Sequence, residues 1–250
     1  MKALVIGNSH ASALQLALRE GWSRPGLDID ILVIPGRRQP EMRRTGDLLF
    51  PSGNPKHIRS NFDQAKTTGF DIRDYQAIWL IGFGLNGPNT GTLADRSHTF
   101  ARANHLLGQP QMTIPRVSRG VMKQMIAADI QATGFLPLIA TLREYSAVEI
   151  YVVPRPRLSV KIFKEAEGEL QALFGDHAVE ALAAFLPLHD EVVAEIIPAG
   201  IPILWQDPST QVGLFTAPRF NVLNDFTHMN RDYGALVLDS LVGRCCANHA

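Results

Sequence analysis

Cysteine is scarce in this chain. There are two in 250 residues, and they are adjacent, at Cys245 and Cys246. A disulfide between neighbours is strained, and one pair could not staple a fold of this length. No disulfide framework is therefore expected. An excess of either charge is also missing, because 24 Lys and Arg balance 24 Asp and Glu. That gives no support for general nucleic-acid affinity, which needs a basic face. Long apolar runs are absent. The stretch from Gly134 to Leu142 falls far short of a membrane span. The opening Met1-Lys2 leads into a five-residue apolar stretch, shorter than the core of a secretory signal. The expectation is a cytoplasmic protein without a membrane span. The eight histidines form no His-x-His or His-x-x-x-His set, and no spaced Cys/His pairs of the zinc-finger type occur. No metal and no cofactor are expected.

What is present is an ordinary globular composition, 46% hydrophobic and 19% charged. That argues against a disordered or collagenous chain and supplies ample apolar surface for a core. Strand signals occur at Lys2 to Ile6, Asp28 to Ile34, Gln76 to Ile81, Val148 to Val153 and Ile201 to Trp205. Helical patterns lie between them. The first follows residue 10, with Leu14, Ala17 and Leu18 on one face. Others are expected at 94–107, 119–132, 135–145, and 164–197 with interruptions near Gly175 and Pro187. A last helix, 230–243, has Tyr233, Leu236, Val237 and Leu241 spaced for one face. Alternating strands and helices predict a single α/β domain over 1–250, with about five parallel strands covered on both faces. Residues 37–75 read as polar and irregular, broken by Pro40, Pro51, Gly53 and Pro55. Together with 87–135 they are expected to form insertions at the sheet's C-terminal edge, where such folds bind ligands.

Gly7-Asn8-Ser9-His10 stands at the first strand-to-helix junction. A serine there would sit at the ligand edge, with a helix N-terminus behind it to favour developing negative charge. The competing reading is that Asn8 or Ser9 caps the helix. A nucleophilic serine needs a base, and the base needs an orienting group. Asp225 and His228 supply both, three residues apart, just before the last helix. A second pair at that spacing, Asp95 and His98, reads as a solvated helix turn. For an oxyanion hole, Asn86 after the third strand could offer its amide, with Asn89 as a competitor. Gly36, after the second strand, could offer a backbone N–H. Turn chemistry explains both equally well.

These blocks, in this order, resemble the SGNH/GDSL hydrolase superfamily. The matching residues are Ser9 after the first strand, Gly36 after the second, Asn86 after the third, and Asp225 with His228 before the last helix. Asn8 stands where the family most often has Asp, and Gly53 is a substitute for Gly36. The resemblance implies a flavodoxin-like three-layer α/β/α sandwich and a Ser9–His228–Asp225 triad. It further implies an oxyanion hole from Ser9, Gly36 and Asn86, and ester chemistry through a serine acyl-enzyme. The Gly-Asn-Ser-His-Ala wording is similar to SGNH domains associated with sugar O-acylation. A small-molecule or glycan acyl ester is then the expected substrate, with water or a sugar hydroxyl as acceptor.

Arg37 and Arg38 open a basic stretch that could recognise an anion near the active edge, or be a solvated loop. Arg155 and Arg157, after the fourth strand, lie at the same edge. Trp205 and Phe83 read as core. The alternatives are three. A degenerate binding module on the same fold predicts an unreactive Ser9. A Rossmann nucleotide site needs Gly-x-Gly-x-x-Gly, but the first turn has one glycine. A metal-dependent hydrolase lacks its ligand spacing.

Overall fold

The computed structural model describes residues 1–34, 41–46, 48–52, 58–62, 69–84, 118–132, 134–145, 148–161, 178–223, 225 and 227–248. The elements, in chain order, are β1 (Lys2–Gly7), α1 (Ser12–Arg19), β2 (Asp28–Val33), β3 (Glu41–Thr45), β4 (Leu48–Ser52), β5 (Arg59–Ser60) and β6 (Phe70–Asp71). Next come β7 (Ala77–Phe83), α2 (Arg119–Gln131), α3 (Phe135–Tyr145), β8 (Glu149–Pro154), α4 (Ala178–Ile196), β9 (Gln211–Val212), β10 (Phe215–Thr216) and α5 (Arg231–Asn248).

Among the described residues the main sheet has five strands in the order β5-β2-β1-β7-β8. Pairing is parallel from β2 through β1 and β7 to β8, while β5 runs antiparallel along the β2 edge. Past the opening Lys2, the central strands β1 and β7 are apolar along their length, as strands buried on both faces must be. Alternate residues enter two separate cores. Leu4, Ile6, Ile78 and Leu80 pack with Ile126, Ile130, Ile139 and Val193 from α2, α3 and α4. Ala3, Val5, Trp79 and Ile81 pack with Leu14 and Ala17 of α1 and Leu238 and Leu241 of α5.

Several expectations need correction. Among the described residues the sheet has four parallel strands and the antiparallel β5, where about five parallel strands were expected. Ile203 joins β8 only by an isolated parallel bridge, in which Val152 N–H donates to the Pro202 carbonyl at 3.0 Å. Pro202 has no N–H of its own to extend the ladder. Residues 37–75 are not simply irregular, since β3, β4 and β6 form a three-stranded antiparallel sheet. Pro51 lies opposite Met42 of β3 and beyond the β6 pairing, which involves only Leu48 and Leu49. Helix α4 runs through Pro187. A mid-helix proline costs about 3 kcal/mol. The adjoining Phe185, Leu186, Leu188, Val192 and Val193 are all buried, each worth about 1.5–3 kcal/mol, so packing wins. In α5 the buried stripe is Tyr233, Val237, Leu238, Leu241 and Cys245, while Leu236 is exposed. The expected helix at 94–107 and the interruption at Gly175 lie outside the described residues.

Among the described residues, no single helix is long and apolar enough to cross a membrane. The pair Arg119–Gln131 and Phe135–Glu144 reaches that length only together, bends by 63°, and buries its apolar side in the core. Cys245 is buried and Cys246 exposed, and both are free thiols.

Candidate functional site

The chain leaves β1 at Gly7 and turns at once into a short 3-10 turn, Ser9–Ala11, that leads into α1. Only glycine fits at position 7. A Cβ there would lie 2.7 Å from both the Ala11 Cβ and the Ile81 carbonyl oxygen. The turn is capped by Asn8, whose Oδ1 accepts from the His10 N–H at 3.0 Å. Asn8 is buried, and its Nδ2 donates to the Gly82 carbonyl at 3.1 Å. The two capping candidates are thereby separated. Asn8 carries the cap, and Ser9, half-buried, does not.

Gly82 offers that carbonyl because β7 bulges there. Ile81 pairs with Val153 and Phe83 with Pro154, so Gly82 is an extra residue in the ladder. Its φ is +87°, a left-handed conformation that suits glycine. An added Cβ would lie 2.3 Å from Asn8 Oδ1. The same carbonyl accepts a second bond, from Arg155 Nε at 3.1 Å.

The Asp225–His228 pair forms as the spacing anticipates. His228 Nδ1 lies 2.6 Å from Asp225 Oδ2. The other carboxylate oxygen, Oδ1, accepts from the backbone N–H of Thr227 at 2.8 Å and of His228 at 2.9 Å. One side chain thus closes the turn and orients the ring. Burial pushes the Asp225 carboxyl upward, but these two N–H donors and the His228 ring outweigh it and hold it down at about 2. With Nδ1–H donated to a carboxylate, the neutral ring carries its lone pair on Nε2, the tautomer a general base requires. His228 is accessible, its side chain 37% exposed.

The segment is tied to the rest of the fold on both sides. Val222 N–H donates to the His228 carbonyl at 3.1 Å, and Asn230 Oδ1 accepts from the N–H groups of Asp232 and Tyr233 at the start of α5. Helix α5 packs on α1 so closely that a Cβ at Gly234 would lie 2.1 Å from the Ala13 carbonyl oxygen. That contact fixes the histidine segment against the serine turn. The result is visible in the rings: His228 and His10 stand 5.4 Å apart, tilted by 31°. His228 therefore neighbours the residue that follows Ser9. Among the described residues no hydrogen bond joins Ser9 to His228.

Sequence reading missed Thr227, whose Oγ1 lies 2.9 Å from Asp225 Oδ1 and 3.1 Å from His228 Nδ1. The Asp-x-Thr turn pattern was the available signal. It also missed the Arg155–Gly82 bond, which no local pattern announces. Trp205 is corrected from core to surface, at 40% exposed, whereas Phe83 is fully buried as expected. Gly36, Asn86, Arg37 and Arg38 lie outside the described residues, as do Gly53, Asn89, Asp95 and His98. Among the described residues no group of three or more His, Cys, Asp or Glu is placed to hold a metal ion.

No protein-family model matches the chain, and neither the curated proteins nor the solved structures give a match.

Proposed function

We propose that this protein is a serine acyl hydrolase of the SGNH type, built on a flavodoxin-like three-layer α/β/α sandwich. The observation that carries the reading is the oriented Asp225–His228 pair. It stands beside a strand-to-helix turn whose cap is Asn8, leaving the Ser9 hydroxyl without a capping duty. Both come from the C-terminal edge of a mostly parallel sheet, where such folds bind ligands.

In the proposed cycle, Ser9 Oγ attacks the carbonyl carbon of an acyl ester and its proton passes to His228 Nε2. Asp225 stabilises the imidazolium so formed. The C–O bond breaks, the departing alkoxide takes the proton from His228, and the acyl group stays on Ser9. Water, deprotonated by His228, then releases the acid and restores the serine. The Ser9 backbone N–H would hold the oxyanion, with Gly36 and Asn86 as the further donors that the family resemblance implies. A sugar hydroxyl in place of water would make the same site an O-acyltransferase, and an O-acylated sugar is the substrate class the resemblance suggests.

A second reading has its own observation. The lack of a Ser9–His228 hydrogen bond among the described residues favours a binding module with a silent serine. Catalytic hydrogen bonds in free enzymes are often long and tighten on binding, so the two readings part on reactivity, not on geometry. The test is intact mass after exposure to a fluorophosphonate, on the wild type and on Ser9→Ala. One adduct on the wild type and none on the variant supports the hydrolase. No adduct on folded wild type overturns it.

A further inference from the structure

A cavity of about 200 Å³ opens past the end of β8, between that strand, α4 and residues 205–215. It is smaller than the roughly 300–1,000 Å³ of sites for drug-sized ligands. Its walls include Leu158, Leu186, Leu214 and Phe215, with the exposed Trp205 at one side. Its polar lining holds two arginines, Arg155 and Arg157, one acid, Asp190, and the uncharged groups of His189, Gln206 and Gln211.

The acid is already engaged. Arg157 is ion-paired with Asp190, and His189 Nδ1 lies 3.3 Å from the same carboxylate. Burial pushes Asp190 upward, but the His189 and Arg157 contacts outweigh it and hold its carboxyl below the usual range. Arg155 is left over. Its Nε donates to the Gly82 carbonyl, a neutral acceptor, and among the described residues no carboxylate pairs with it. Burial lowers its pKa to about 10, so it stays a cation at neutral pH. A partly desolvated guanidinium without a counter-charge is costly, and its fork of N–H donors matches the two oxygens of a carboxylate or phosphate.

We infer that this cavity binds a small oxyacid anion, a carboxylate or phosphate group, on the Arg155 guanidinium, with the apolar walls and Trp205 taking the body of the ligand. The inference does not rest on Ser9 chemistry, although the Gly82 carbonyl joins the two places: it accepts from Asn8 on one side and from Arg155 on the other.

The test is calorimetric titration of the full chain with inorganic phosphate and, separately, with benzoate, at constant ionic strength. Saturable one-to-one binding of at least one probe is expected. Arg155→Gln should weaken it at least tenfold, and Arg155→Lys, which keeps the charge without the fork, should weaken it less. Leu214→Trp, which fills the cavity and leaves Arg155 in place, should also abolish it. Phosphate without benzoate assigns a phosphorylated ligand, and benzoate without phosphate an apolar carboxylate. Ser9→Ala should bind as the wild type does, so failure of the hydrolase reading leaves this result standing. Absence of saturable binding of both probes to folded wild type overturns the inference. So does wild-type affinity in either folded Arg155→Gln or folded Leu214→Trp.

Discussion

Gly82→Ala is the substitution that tests most directly how the serine turn is held. Two separable penalties act there. The first is conformational: φ is +87°, and a side chain at such an angle costs about 1–2 kcal/mol. The second is contact. The new Cβ would sit 2.3 Å from Asn8 Oδ1 and 2.8 Å from its Cγ, so Asn8 or the bulge must move. Overpacking of that kind costs about 1–3 kcal/mol. Gly200 isolates the first penalty, since its φ is +84° and an added Cβ there meets nothing within 4 Å. Gly84 is intermediate, with φ +90° and the His189 Nε2 at 3.0 Å. Thermal unfolding should therefore rank Gly82→Ala as the most damaging, then Gly84→Ala, then Gly200→Ala. For a chain of this size about 1 kcal/mol moves Tm by 2–4 °C, so Gly82→Ala and Gly200→Ala should differ by roughly 2–12 °C. Asn8→Ala removes the atoms in the clash. The double variant Asn8→Ala/Gly82→Ala should then cost less than the sum of the two singles by about the contact penalty. Fluorophosphonate labelling should fall in Gly82→Ala and persist in Gly200→Ala, because only the former displaces the cap of the Ser9 turn. Equal Tm losses for Gly82→Ala and Gly200→Ala, or strict additivity with Asn8→Ala, would refute the reasoning.

Asp225→Asn should lower the turnover of the proposed reaction by about 10⁴-fold while the protein stays folded, since the amide no longer fixes the ring tautomer; steady-state kinetics on an activated ester checks it. Asp225 also predicts an acid limb of stability. Its folded pKa, about 2, lies below the 3.8 of a free carboxyl, so its contribution is complete above 3.8 and is lost as pH falls through about 2. Discounted for partial exposure, that is about 1–2 kcal/mol, read as a difference in denaturant midpoint between the wild type and Asp225→Asn that closes at low pH. In α5, Gly234→Ala and Gly243→Ala should have opposite signs. Alanine in a helix interior gains up to about 1 kcal/mol over glycine, and at Gly243 nothing lies within 4 Å to oppose it. At Gly234 the Cβ meets backbone of α1 at 2.1 Å, so destabilisation by about 1–3 kcal/mol is expected, and a gain in Tm there would contradict the close α1–α5 contact.

What was legible in the sequence follows from how far each signal reaches along the chain. β1, β7 and β8 were plain because strands buried on both faces are near-continuous apolar runs, and β2 was plain through its closing Ile31-Leu32-Val33; each signal is complete within six or seven residues. Ile201 to Trp205 has the same composition, yet strand character there depends on whether its N–H groups meet β8, and Pro202 forbids part of that. The β3–β4 hairpin was hidden for the converse reason. Its sequence, Glu-Met-Arg-Arg-Thr followed by Leu-Leu-Phe-Pro-Ser, buries Leu49 fully but leaves Leu48 exposed, so no clean alternation marks it. Asp225 and His228 could be paired on paper because their contact closes over three residues and one turn.

The contacts that organise the site's surroundings are of the other kind. Asn8 reaches Gly82 across 74 positions, and Arg155 reaches it across 73. Neither bond exists without the bulge that takes the Gly82 peptide out of the β7–β8 ladder, and in the sequence that bulge is only a glycine before Phe83. The bulge is therefore the step at which fold becomes site. It lets a strand residue hold the cap of the serine turn with the same oxygen that anchors the Arg155 side chain, so the serine turn and the cationic cavity share one peptide. A substitution that restores regular pairing there should disturb labelling at Ser9 and anion binding at Arg155 together, whereas Asn8→Ala should affect the first alone.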